Sequence, residues 1–470
     1  MFGSIACLGR HTITGIICAQ AGQYADWSSV YRLFGRFDQE RIFAPVREAV
    51  CRHMPAQMPV IAALDDTVVP KRGKKVAGAS WRRDPTGPAF RPNFVWAQRF
   101  VQMSLVAPSR GFAGAARGIP VDIVHAPTPQ KPRKRANLGE EASQEDKEAA
   151  QKEWAKYRQD QRAMRVSKVG AERIAHLRSQ LNDDPISQGR ELIVAVDGGY
   201  TNRTVFQEIP KATTLIGRLR KDARLFERPA QPAKRTGLFE RPAQPAKRTG
   251  RKRLYGDALP TPEQFRQDEN IPWTQVKAHA AGKVWDFDVK VIHPVRWKAA
   301  GGRNLQLVII APIAYRPTKA SRMKYRDPAY LLCTDPDLPI EQLLQAYLWR
   351  WEIEVNFREE KTIMGTGQAQ VRTQTAVETT TAFAVASYAM LQVAALQTGL
   401  RDSGLPPPKW RKKETPRRPS TTQLVNRVRA ELWGNALGVS FSDFDKSDDI
   451  QRSLQNQRCS LGSAVLYATG

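Results

Sequence analysis

Four side chains in the stretch YLWRWEIEVNFREEK have types and spacing suited to phosphate chemistry: Tyr347, Arg350, Glu354 and Lys361. At about 100° per residue they fall on one helical stripe roughly 60° wide. Leu344, Leu348, Trp351 and Val355 make an apolar stripe beside it, which places Trp351 in the core. A glutamate can hold a divalent metal, and arginine and lysine clamp phosphate oxygens. Two apolar runs upstream also end in carboxylates. PVIAALDD reads as a buried strand carrying Asp65 and Asp66, and ELIVAVDGGY reads as another ending at Asp197. Carboxylates at strand ends project into a common crevice. Asp66, Asp197 and Glu354 together would suit two-metal phosphoryl transfer. All-oxygen acidic ligands favour Mg²⁺, with Mn²⁺ an alternative, at two ions per site, and substrate phosphates would complete the shell.

Basic residues surround these acids. PKRGKK follows the first aspartates directly, so Lys71, Arg72, Lys74 and Lys75 would stand at the mouth of the site and hold DNA phosphates. Arg82, Arg83, Arg91 and Arg99 continue the run, with Trp81 and Trp96 interleaved. Exposed aromatics there would stack on unpaired bases, although two core tryptophans are the plainer expectation. Over the 470 residues, Lys+Arg 73 against Asp+Glu 46 gives +27 and a pI near 10.1. That excess is spread along the chain and marks a polyanion partner, nucleic acid before any other, with an extensive DNA-contacting surface.

Composition also excludes several classes. Hydrophobic residues at 41% and charged residues at 25% describe a globular protein long enough for two or three domains. Five scattered cysteines without a CxxC pair fit a reducing compartment and neither a disulfide scaffold nor a zinc site. No apolar run approaches a membrane span in this reading, so a cytoplasmic, nucleoid-associated protein is expected. A P-loop and a GxGxxG strand–helix unit are both missing, which excludes a nucleotide cofactor.

The Tyr-x2-Arg-x3-Glu-x6-Lys spacing resembles the signature of bacterial insertion-sequence transposases of the DDE class, in the subgroup with a Tyr-Arg-Glu-Lys series. The chain resembles that family over nearly its whole length. The resemblance implies an RNase H-like core and a metal-dependent DNA transposase that cleaves transposon ends and joins them to target DNA. It implies Asp66 rather than Asp65 as the first ligand, because the family aspartate directly precedes a threonine. It assigns Tyr347 and Arg350 to phosphates near the cleaved end and Lys361 to DNA positioning. It further implies a hairpin intermediate, a flipped base and a homodimer on DNA.

The expected architecture is α/β: an RNase H-like core interrupted by a β-rich insertion, with helical N- and C-terminal regions. Residues 1–56 read as a small basic helical bundle, DNA-end-binding by resemblance, with Ser28 or Ser29 capping one helix. Residues 57–222 read as the first part of the core. They hold strands at PVIAALDD, NFVWAQRFVQMSLVAP, IPVDIVHAP, ELIVAVDGGY and TTLIGRLR, and helices between about Glu140 and Asp183. Residues 223–335 form the β-rich insertion. Within it LFERPAQPAKRTG occurs twice in tandem, at Leu225–Gly237 and Leu238–Gly250. A Pro-rich basic copy of this kind is a loop duplication, whose removal is expected to leave folding unchanged. Residues 336–400 supply the closing helices, and 401–470 a basic helical region with an S-x-x-Q capping box at Ser420 and Gln423. Two other functions share this fold: an RNase H-like nuclease without strand transfer, and a catalytically silent or domesticated DNA-binding protein. The helix cations argue against the first, and the presence of all three acids against the second.

Overall fold

The computed structural model describes residues 1–20, 26–73, 75–84, 87, 90, 93–109, 114–132, 143–229, 253–316, 321–399 and 418–437. Lys74, Arg91, most of the tandem duplication and residues 438–470 lie outside the described residues.

Four helices open the chain: α1 (Phe2–Ala6), α2 (Ile13–Cys18), α3 (Trp27–Arg36) and α4 (Glu40–His53). The cap of α3 is Asp26, not Ser28 or Ser29; its carboxylate accepts the Ser28 N–H at 2.9 Å. Phe43, Val46, Val50 and Cys51 carry α4 into the main core, so this helix packs with the sheet rather than apart from it.

Three antiparallel strands follow, β1 (Val60–Pro70), β3 (Phe94–Pro108) and β4 (Ala116–His125), with the short β2 (Ser80–Arg83) beside the start of β3. Helices α5 (Gln144–Ala163) and α6 (Val166–Asp183) lead to β5 (Leu192–Val196), and α7 (Arg203–Gln207) leads to β6 (Thr213–Arg218). Strand β5 pairs in parallel with both β1 and β6. The order β4-β3-β1-β5-β6, with antiparallel strands first and parallel strands after, is that of an RNase H-like core. Helices cover β1 on both sides, which is why it reads as a nearly unbroken apolar run up to Asp65.

The expected β-rich insertion extends the same sheet. It comprises β7 (Leu225–Phe226), α8 (Pro262–Gln267), β8 (Thr274–Ala280), β9 (Lys283–Trp297), β10 (Leu305–Ile310), β11 (Ile313–Tyr315), β12 (Lys324–Arg326) and β13 (Ala329–Cys333). Strand β13 pairs antiparallel with β6, and β10, β9 and β8 continue outward to complete an 11-stranded mixed sheet. The chain closes with α9 (Ile340–Trp349), α10 (Trp351–Thr362), α11 (Gln374–Gln397) and α12 (Thr421–Leu437). Contrary to the expectation that no apolar run approaches a membrane span, helix α11 is long and apolar enough to cross one by length and composition; it is mostly buried, packed against β4 and α4. The capping box ahead of α12 is formed: the Gln423 N–H donates to Ser420 Oγ at 3.3 Å, and the Ser420 N–H to Gln423 Oε1 at 2.8 Å.

Candidate active site

Strand alternation decides which of the two adjacent aspartates faces the helix carboxylate. Side chains along a strand point to opposite faces, so Ala63 and Asp65 share one face and Leu64 and Asp66 the other. Ala63 packs against Ile353 and Phe357 of α10. Gln102, directly across from Asp65 in the β1–β3 pair, donates from Nε2 to Glu360 Oε1 of α10 at 2.9 Å. Asp65 therefore lies beneath α10. On the other face, Leu64 meets α6 at Gly170, and Asp66 accepts the Tyr200 phenol at 3.2 Å. Asp65, and not the Asp66 that the resemblance names, thus shares the sheet face covered by the helix that carries Glu354. Both aspartates also sit inside β1 rather than at its end, immediately past Leu64, where parallel pairing with β5 stops.

Asp197 directly follows β5. Its Oδ1 accepts the N–H of Gly199 at 2.8 Å and of Tyr200 at 3.3 Å, and its carbonyl accepts the Thr201 hydroxyl at 2.9 Å. The two glycines after it thus belong to a turn that wraps back onto the carboxylate. Arg350 stands between the other two acids, with Nη1 at 3.0 Å from Asp65 Oδ2 and 3.7 Å from Glu354 Oε1. Burial pushes the Asp65 carboxyl up to about 8; the negative charges of Asp197 and Glu354 push the same way, and Arg350 pulls it back. Tyr347 lies against Arg350, 6.0 Å from ring centre to guanidinium, and burial raises its phenol.

The signature helix is broken where the sequence suggests continuity. Helix α9 ends at Trp349 and α10 begins at Trp351, and at the junction the Ile353 N–H donates to the carbonyl of Arg350, three residues back. The buried face of α10 is Ile353, Asn356, Phe357 and Glu360. Trp351, expected in the core, is 63% exposed because the junction turns it away from that face.

Close packing fixes α10 over the sheet. A side chain at Gly118 of β4 would meet Glu352 and Asn356 at about 3 Å, so glycine is what lets the helix approach. Asn356 shares a hydrogen bond with Ser104 at 3.0 Å, and the Tyr388 hydroxyl of α11 donates to Glu359 at 2.9 Å. The C-terminal segment adds two ties, Arg418 to Glu352 at 2.7 Å and Thr421 to Glu359 at 2.6 Å. None of these partners carried a sequence signal, since each is an ordinary polar residue until the chain is folded.

The basic residues divide. Lys71 is half-buried, donates to the Gly367 carbonyl at 2.7 Å, and is pushed down to about 8 by burial, so it ties β1 to the loop after α10. Arg72 and Lys75 are exposed, and Lys74 lies outside the described residues. Lys361 is partly buried beside Glu360 and Glu354, and burial lowers its ammonium. Trp81 stands 68% exposed, its ring edge-on to Trp96 at 5.7 Å, contrary to the expectation of two core tryptophans. From Gly198 a cleft of about 1080 Å³ opens, lined among others by Arg218, Lys221, Arg266 and Tyr330.

Among the described residues no three His, Cys, Asp or Glu side chains stand close enough together to share one ion as placed. The donor set still fits a hard divalent cation in chemistry. It is all carboxylate, and the negative charges of Asp197 and Glu354 add to the burial that raises the proton affinity of Asp65, an electrostatic cost that a cation relieves.

No curated protein matches the chain. The family model described as DDE superfamily endonuclease matches residues 1–303, a span that holds Asp65, Asp66 and Asp197 and stops short of Glu354. With well over half of its length matched across the RNase H-like core, the chain belongs to the DDE superfamily endonucleases.

Proposed function

We propose that this protein is a DNA transposase of the insertion-sequence type, cutting transposon ends and joining them to target DNA, with Asp65, Asp197 and Glu354 as its reactive carboxylates. The observation that carries this is the placement of Asp65 under α10, in the field of Asp197 and Glu354, with Arg350 between Asp65 and Glu354. Bound there, Mg²⁺ or Mn²⁺ would activate the attacking oxygen and stabilise the leaving one. The chain's own residues do the rest. Arg350 holds Asp65 and Glu354 together and offers its guanidinium edge to a phosphate. Lys361 and the exposed Arg72 and Lys75 add positive charge along the path of DNA, and Arg218 and Lys221 line the cleft beyond Asp197. Asp66, assigned as a ligand by resemblance, faces away from Glu354 in this reading.

A plasmid carrying the DNA that flanks the gene on both sides tests the activity, incubated with Mg²⁺ and purified protein. Excised fragment together with product joined to a second plasmid supports the transposase reading. Cut ends without joined product would leave an endonuclease. Sizing the protein with and without end DNA tests the proposed homodimer, which predicts two chains with two ends.

A further inference from the structure

We propose that Asp66 is a positioning residue that fixes Tyr200, through which it fixes the carboxylate of Asp197. The proposal rests on the reading of Asp65, Asp197 and Glu354 as the metal-binding acids. Tyr200 is tied at both ends: its hydroxyl donates to Asp66 Oδ1 at 3.2 Å, and its backbone N–H donates to Asp197 Oδ1 at 3.3 Å. The ring is 1% exposed and fills the space between α6 and β1. Its room is made by Gly170, where a Cβ would fall 2.5 Å from the ring. Glycine inside a helix is less favourable than alanine, so the site favours this aromatic over helix propensity. Phenylalanine would fill the same space. A buried hydroxyl requires an acceptor, and Asp66 is the one it has. The second aspartate of the doublet thus reaches the site indirectly, by holding the turn that presents Asp197.

Mn²⁺ binding to the full-length protein, measured by isothermal titration, tests the relay without reference to DNA cleavage. Tyr200→Phe is expected to weaken Mn²⁺ about tenfold, the usual effect of losing a residue that orients a ligand. Asp66→Leu should do the same, with no further loss in the double variant. Asp66→Asn keeps an oxygen acceptor for the phenol and should stay within about threefold of wild type on the same basis. Tyr200→Phe removes one oxygen from a filled space and keeps the fold, so the test does not depend on Asp66→Leu folding. Loss of Mn²⁺ in Asp66→Asn as complete as in Asp197→Asn would make Asp66 a ligand and overturn the relay. Wild-type affinity in Tyr200→Phe would also overturn it. If Asp65→Asn and Asp197→Asn both still bind Mn²⁺ normally, the site reading fails and the relay with it.

Discussion

Glu360 lies fully buried on the sheet-facing side of α10, and burial raises its carboxyl from 4.5 to about 8. Its oxygen accepts from Gln102 Nε2 at 2.9 Å, while Gln102 Oε1 is buried without a hydrogen-bond partner. A protonated Glu360 would donate its O–H to that oxygen, so the neutral acid suits the site and the carboxylate does not. Glutamine at 360 reproduces the neutral form at every pH, pairing amide to amide with Gln102. The folded state holds this proton between pH 4.5 and about 8, and the unfolded chain releases it. The stability contributed by protonated Glu360 is therefore fully present below pH 4.5 and lost as pH rises toward 8. Relative to Glu360→Gln, wild type should lose stability at up to about 1.4 kcal/mol per pH unit across that window. Paired urea-unfolding curves at pH 5, 6, 7 and 8 measure the difference directly, and other titrating groups cancel between the two proteins. A difference flat with pH would refute the buried neutral acid and the packing of α10 on which it depends.

Three further outcomes follow from the same geometry. Arg350→Ala removes the cation between Asp65 and Glu354, so cleavage should fall by about 10²-fold and its pH profile move to higher pH as Asp65 holds its proton longer; an unchanged profile counts against the ion-pair role. Gly170→Ala places a methyl against the Tyr200 ring and should destabilise, with an overpacking cost of about 1–3 kcal/mol outweighing the helix-propensity gain; a rise in melting temperature would show that the ring can move aside. Lys290→Met should destabilise by roughly 3 kcal/mol in urea unfolding, because this buried ammonium donates to the carbonyls of Phe265, Arg266 and Asp268 at the end of α8; a neutral result would mean that those carbonyls find water.

The sequence shows those elements that local pattern alone specifies. The β1, β3, β4, β5 and β6 runs are buried on one or both faces and read as strands, and the Ser420–Gln423 box announces α12. What it leaves open is long-range. Two aspartates in a row are equivalent until it is known which sheet face α10 covers, and only Ala63 and Gln102, through Ile353, Phe357 and Glu360, show that. A single uninterrupted stripe makes Trp351 a core residue; the break at Arg350 exposes it. Lys71 looks like one of four equivalent cations, yet a carbonyl nearly 300 positions later claims its ammonium.

The most direct test of the central claim compares Mg²⁺-dependent cleavage of DNA carrying the gene-flanking ends by wild type, Asp65→Asn and Asp66→Asn. With Asp65 under α10 beside Glu354 and Asp66 on the opposite face, Asp65→Asn should cut nothing while still binding DNA, and Asp66→Asn should retain cleavage. Cutting at the wild-type rate by Asp65→Asn, with Asp66→Asn inactive, would contradict the account.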